Sequence, residues 1–280
     1  MTKGNQMRTN QYRLAMAVTL GLAGLAGCAH RQQAPVNAAH ETRRQIAREL
    51  VAQGQWEPAF AYVDALLREQ ADDADVLVLR ATIYRERNLL SEADADLREA
   101  TRLAPHLASA RAGLGIVADL RRQPQEAEEN LRLAVKLDAR NPAYLNNLGF
   151  SLFLHGKIKE AIANYEQAAR LAPTSQRTRT NLGFAYAARG DMQRAAREFD
   201  MGGTPVEAKV NLGFAYERRG DMANAYALYA EAARMDPRST RARANLAHAA
   251  EVTGQPLSVA SDGPTPSTDA SPLSPEESAP

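Results

Sequence analysis

The chain has 280 residues, 45% of them hydrophobic and 6% aromatic, with 34 Lys+Arg against 33 Asp+Glu and one Cys. That is enough apolar material for a large core, and a net charge of +1 removes the electrostatic case for a dedicated nucleic-acid binder. A single Cys excludes an internal disulfide, a thiolate zinc cluster and a CxxC redox pair.

The first segment reads as an address. Lys3, Arg8 and Arg13 precede an apolar and small-residue run from Leu14 to Ala26, with no acid among them. A helix of that length reaches about 20 Å, short of the ~30 Å hydrocarbon core of a bilayer. The run therefore reads as the h-region of a signal peptide over 1–27. It ends in Leu25-Ala26-Gly27-Cys28, which resembles the lipobox of bacterial lipoproteins. The resemblance implies cleavage before Cys28, lipidation of Cys28 and durable anchoring by several acyl chains. Ala29 follows, not the Asp of inner-membrane retention, so the periplasmic face of the outer membrane is the expected location. The inner membrane's periplasmic face is the alternative. Residues 28–39 read as a tether.

The middle is repetitive. Asn-Leu-Gly-Phe occurs at 147–150, 181–184 and 211–214, and Asn-Leu-Ala-His at 245–248. Setting the shared Leu at position 7 divides the chain into units 40–73, 74–107, 108–141, 142–175, 176–205 and 206–239. Position 8 is small throughout (Ala47, Ala81, Gly115, Gly149, Gly183, Gly213), as is position 20, from Ala59 to Ala225. Position 24 is bulky: Val63, Leu97, Leu131, Tyr165, Phe199, Tyr229. This pattern resembles the tetratricopeptide repeat. It implies an all-α right-handed superhelix of six helix pairs, with positions 8 and 20 small where the two helices cross. Gly54, Gly156, Gly190 and Gly220 at position 15 read as left-handed turns between the helices, with Asn88 tolerating the same conformation. Arg122, followed by Pro124, predicts a different turn in the third unit.

The fifth unit is four residues short around Gly202-Gly203-Thr204-Pro205, about one helical turn, so its second helix is predicted to stop early. Residues 240–254 repeat only the first helix and read as the cap that a stack of repeats requires. The tail, 255–280, has six Pro, six Ser, four acids and no Lys or Arg, and it reads as disordered.

No chemistry is written in the motifs. His30, His40, His106, His155 and His248 share no metal-ligand spacing, and there is no phosphate loop or nucleophile elbow. The expectation is a non-enzyme without metal, cofactor or small-molecule substrate. The tetratricopeptide resemblance places positions 2, 5, 6, 9, 12 and 13 on a concave groove. Position 6 gives Asn147, Asn181, Asn211 and Asn245, and position 9 gives Phe150, Phe184, Phe214 and His248. Asn amides both donate and accept, which suits the backbone of an extended peptide, and Phe rings supply sequence-tolerant apolar area. Asn at position 6 can equally be a shared structural feature of the repeat, and a neighbouring helix or the tail can cover the rings. Arg177, Arg218 and Arg241 lie beside Glu207, Glu217 and Glu251, so the groove has no single charge preference. Thr180 and Val210 at position 5 depart from the family's carboxylate clamp.

The combination resembles lipid-anchored scaffolds of pilus systems. It is similar to the accessory lipoprotein of Tad/Flp pili and, less closely, to type IV pilus secretin pilotins. The implied partner is a secretin or another pilus or secretion component. An adaptor for peptidoglycan or envelope quality-control enzymes is the other reading.

Overall fold

The computed structural model describes residues 23–257, with side chains from residue 38 onward. The described residues form thirteen helices and no strand. None of these helices is long and apolar enough to cross a membrane. The chain divides after Leu171 into two compact units.

The first unit holds α1 (Ala23–Ala52), α2 (Trp56–Glu69), α3 (Ala74–Glu86), α4 (Leu90–Leu103), α5 (Ala108–Leu120), α6 (Pro124–Leu137), α7 (Pro142–Leu154) and α8 (Ile158–Leu171). The second holds α9 (Gln176–Arg189), α10 (Met192–Gly202), α11 (Pro205–Glu217), α12 (Met222–Met235) and α13 (Thr240–Thr253). These are six antiparallel pairs and a closing helix, the tetratricopeptide solenoid. The signal-peptide reading falls largely on residues 1–22, outside the described residues, as does the tail beyond Leu257. Helix α1 runs unbroken through 28–39, the segment read as a tether. Four Ala and two Gln favour helix there, while Pro35 removes one backbone donor from its ladder.

What holds a pair together is the contact between position 8 and position 24. A β-carbon at Gly149 would stand 2.8 Å from the Tyr165 ring, and one at Gly213 would stand 2.6 Å from the Tyr229 ring. At Gly115 it would meet both Leu131 at 2.5 Å and the Ala127 carbonyl oxygen at 3.0 Å. The bulky side chain thus lies directly over the small residue, rather than beside the crossing. Tyr165, Phe199 and Tyr229 are almost wholly buried as a result. Full burial of such a side chain stabilises the fold by about 1.5–3 kcal/mol.

The turns inside the pairs are all of one kind. Gly54, Gly156, Gly190 and Gly220 have positive φ, and so does Asn88 at 60°. Arg122 has φ 59°, so the third turn does not differ from the others as its sequence predicts. The same two backbone bonds close it: Arg122 N–H donates to Asp119 and Gln123 N–H to Ala118, as Gly156 does to Phe153 and Lys157 to Leu152. Pro124 is compatible because it occupies the first turn of α6, where no N–H is needed. The cost is a left-handed residue carrying a side chain.

The short unit is resolved as expected. Helix α10 has 11 residues where the other second helices have 14. Its last residue, Gly202, is buried against α9, where a β-carbon would meet Arg179 Cβ at 2.7 Å. Thr204 then starts α11 with a capping box: its hydroxyl accepts from Glu207 N–H, and the Glu207 carboxylate accepts from Thr204 N–H at 2.8 Å.

Candidate protein-binding site

In the second unit, α9 and α11 run parallel. Gln176 and Glu207 meet at their starts, and Arg219 donates to the Ala187 carbonyl at their ends. Parallel alignment brings equal repeat positions side by side. Phe184 and Phe214, both at position 9, meet edge-on with ring centroids 5.9 Å apart and planes at 89°. Phe184 is half-buried because its other side rests on Phe199, the position-24 residue of its own pair, at 4.9 Å. Phe214 is exposed at 38%. The pair is an apolar step, anchored in the core at one end and open to water at the other.

In the first unit, Phe150 takes the same position on α7 and is exposed at 44%, with Asn147 half-buried one turn before it. An exposed Phe at a recurring helical position is surface that a partner can cover.

The Asn residues are engaged to different degrees. Asn211 is buried, and its carbonyl oxygen accepts from Arg241 at 3.0 Å, so here Asn ties α11 to α13. Asn181 is half-buried and already has a partner. Asn245 is half-buried beside the Tyr229 hydroxyl. Tyr229 donates to Glu217 at 2.7 Å, and burial, reinforced by that carboxylate, pushes its phenol far above the ordinary range. His248 is exposed, 3.8 Å from Glu217. Arg177 and Arg218 are exposed and have no ion-pair partner among the described residues. The Asn211–Arg241 and Tyr229–Glu217 bonds join residues 30 and 12 apart. The repeat pattern put Asn211 at position 6 and Glu217 at position 12 of the groove, with Arg241 nearby, but it did not mark the bonds that these residues make.

Elsewhere in the first unit several helix-A arginines are paired with acids. Arg44 pairs with Glu41, Asp73 and Asp75, and Arg48 with Glu41 and Asp75. Arg80 is held in a two-pronged pair by Asp96, and the outer Arg98–Glu126 and Arg132–Glu160 pairs link successive second helices. Exposed pairs of this kind are screened by water and salt and add little to stability.

One cluster has the residue types of a hydrolytic triad but not its geometry. Ser151 donates to Asp119 Oδ1 at 3.0 Å, and His155 Nε2 lies 2.9 Å from the same oxygen. The imidazole does not stand between hydroxyl and carboxylate, and Ser151 is wholly buried, so it cannot be activated toward a substrate. The cluster clips α7 to the end of α5. Among the described residues, no group of three His, Cys, Asp or Glu side chains is placed to hold a metal ion.

A TPR repeat family model matches residues 151–190, and a tetratricopeptide repeat model matches residues 206–239. The sequence matches no curated protein. Among solved structures, the chain is similar to PilW, described as a widely conserved type IV pilus biogenesis factor. That match has TM-score 0.63 and 17% identity, covering 74% of this chain and 98% of that one. It is also similar to PilF of Pseudomonas aeruginosa, with TM-score 0.59, 17% identity, and coverage of 76% and 98%. YrrB, described as a TPR protein with an unusual peptide-binding site, matches with TM-score 0.51, 22% identity, and coverage of 68% and 97%. At these identities the likeness is one of fold.

Proposed function

We propose that this chain is a lipid-anchored periplasmic scaffold that captures a segment of a protein partner on its helix-A faces. Cys28 is the anchor and the outer membrane the expected site. The carrying observation is the edge-on pair of Phe184 and Phe214, partly water-exposed, with Arg177 and Arg218 on the same helix faces and without an ion-pair partner among the described residues. Such a surface binds stoichiometrically, with no catalytic step. Phe150 repeats the apolar feature in the first unit.

The partner class that fits the sequence features is a component of a pilus or secretion apparatus. The lipobox, the six repeats and the shortened fifth unit support assembly of a Tad/Flp-type pilus. The fold likeness to PilF and PilW, over about three quarters of this chain, supports a type IV pilus role as the second reading. In-cell photo-crosslinking distinguishes them, with a reactive residue at Phe184 and a control at the exposed Arg197. A Tad-system secretin or pilus subunit captured only from Phe184 supports the first reading, and a type IV pilus secretin the second. Capture of a wall enzyme replaces the pathway. Equal capture from both positions, or from neither, overturns the proposed face.

A further inference from the structure

The Phe184–Phe214 face has a candidate occupant in the chain itself. Residues 269–277 read Asp-Ala-Ser-Pro-Leu-Ser-Pro-Glu-Glu. They lie outside the described residues. Pro272-Leu273-Ser274-Pro275 is a PxxP sequence, whose two prolines favour the polyproline II conformation. Segments of this kind dock on aromatic-lined grooves at a low ordering cost.

Three further observations agree. The first is charge: residues 172–257 carry twelve Lys+Arg against nine Asp+Glu, a net +3, while 258–280 carry four acids and no base, a net −4. Among those bases, Arg177 and Arg218 are exposed without an ion-pair partner among the described residues. Arg177 stands two helical turns before Phe184 and Arg218 one turn after Phe214, so each shares its ring's helix face.

The second is span. On parallel helices Arg177 and Arg218 are offset by roughly 16 Å along the axes and ~10 Å across them, about 19 Å in all. In polyproline II, Asp269 and Glu276 are about 22 Å apart, with PxxP between them. Acid, prolines and acid therefore match base, rings and base.

The third is where the tail begins. Gly254 ends α13 in a left-handed turn, and Tyr226 in the first turns of α12 donates its hydroxyl to the Pro256 carbonyl at 2.8 Å. Leu257 then lines a hollow with Thr240, Arg243, Leu246 and Ala247, so the chain leaves along α13, the helix next to α11. The twelve residues from there to Asp269 extend to about 37 Å, enough to reach either end.

We infer that residues 269–277 occupy the Phe184–Phe214 face of their own chain and compete there with the protein partner. The tether sets a millimolar-scale local concentration, so even a weak contact is well populated until a tighter ligand displaces it. The inference rests on this face being the binding surface proposed above.

The test uses the full chain with its six phenylalanines fluorinated, carrying Cys28→Ser and a nitroxide on Ser278→Cys. The expected result is at least about a twofold loss of the Phe184 and Phe214 signals, with Phe60 and Phe153 unaffected. Pro272→Ala with Pro275→Ala and Glu276→Lys restores them, and the same substitutions raise crosslinking of the partner from Phe184. No loss at Phe184 and Phe214, or equal loss at all six rings, overturns the inference. So does a loss seen in a mixture of nitroxide-bearing unfluorinated chains with fluorinated nitroxide-free ones, since the tail then comes from a second copy. An unaffected ring pair together with specific partner capture at Phe184 removes the tail inference alone. Ring loss without any partner capture removes the scaffold reading and the competition, and leaves the tail's occupancy of the face.

Discussion

Gly183 lies directly beneath Phe199: a β-carbon at Gly183 would stand 2.5 Å from the ring. The same ring supports Phe184 at 4.9 Å, so one residue serves both the pair's core and its binding face. Gly183→Ala forces the Phe199 ring to move and is expected to cost about 1–3 kcal/mol. Urea denaturation measures this. An unchanged midpoint would mean that the ring has room to retreat. Because Phe184 rests on that ring, partner capture at Phe184 is expected to weaken as well.

Arg122 occupies a left-handed turn that glycine fills in four other units. Arg122→Gly is expected to stabilise the first unit by about 0.5–1 kcal/mol, the relief of the side-chain clash outweighing the larger entropy of the unfolded chain. Gly156→Ala is expected to destabilise it by about 1 kcal/mol, purely through the backbone, since nothing lies within 4 Å of the added carbon. Opposite shifts in thermal midpoint check the pair. Shifts of the same sign refute the shared-turn account.

Tyr229 gives a prediction at high pH. Its folded pKa is raised above the unfolded value of 10.0, first by burial and then by Glu217. Its contribution is fully present below pH 10.0 and is lost as pH rises toward the higher folded value. Stability of the second unit should fall above that pH. Tyr229→Phe should remove this dependence and cost about 1.5–3 kcal/mol at neutral pH, by depriving the Glu217 carboxylate of its donor. A variant with the same alkaline limb as the parent would refute the assignment.

At the acid side, Thr204 holds Glu207 below its ordinary 4.5, first through its backbone N–H and then through its hydroxyl. The folded value is depressed, so the contribution is present above 4.5 and lost as pH falls through the folded value. Thr204→Ala is expected to cost about 1 kcal/mol at neutral pH, a deficit that shrinks in acid. Stability compared at neutral and acid pH decides it, and a deficit independent of pH would mean that the cap is not coupled to Glu207.

Replacing Phe150, Phe184 and Phe214 by Ser is expected to leave helicity in place and abolish partner capture. Phe150 and Phe214 are exposed and Phe184 is half-buried, so the wholly buried residues at position 24 are untouched. Circular dichroism checks the first outcome and crosslinking the second. Capture that survives would locate binding elsewhere.

The repeat spacing by itself determined the architecture. Small residues at position 8, bulky ones at position 24 and glycines at position 15 state helix pairs and their turns, because each requirement is local or recurs at a constant separation. The shortened fifth unit was equally legible from its glycines. The pairing of Phe184 with Phe214 was anticipated only as a shared position. That the two rings meet edge-on depends on α9 and α11 running parallel at packing distance. Tertiary structure alone decided that Asn211 is buried under Arg241, that Glu217 receives Tyr229, and that Arg122 is forced left-handed. These depend on which neighbour a side chain meets across a helix interface. A repeat pattern specifies the interface's spacing, while its occupants are chosen by contacts between different units.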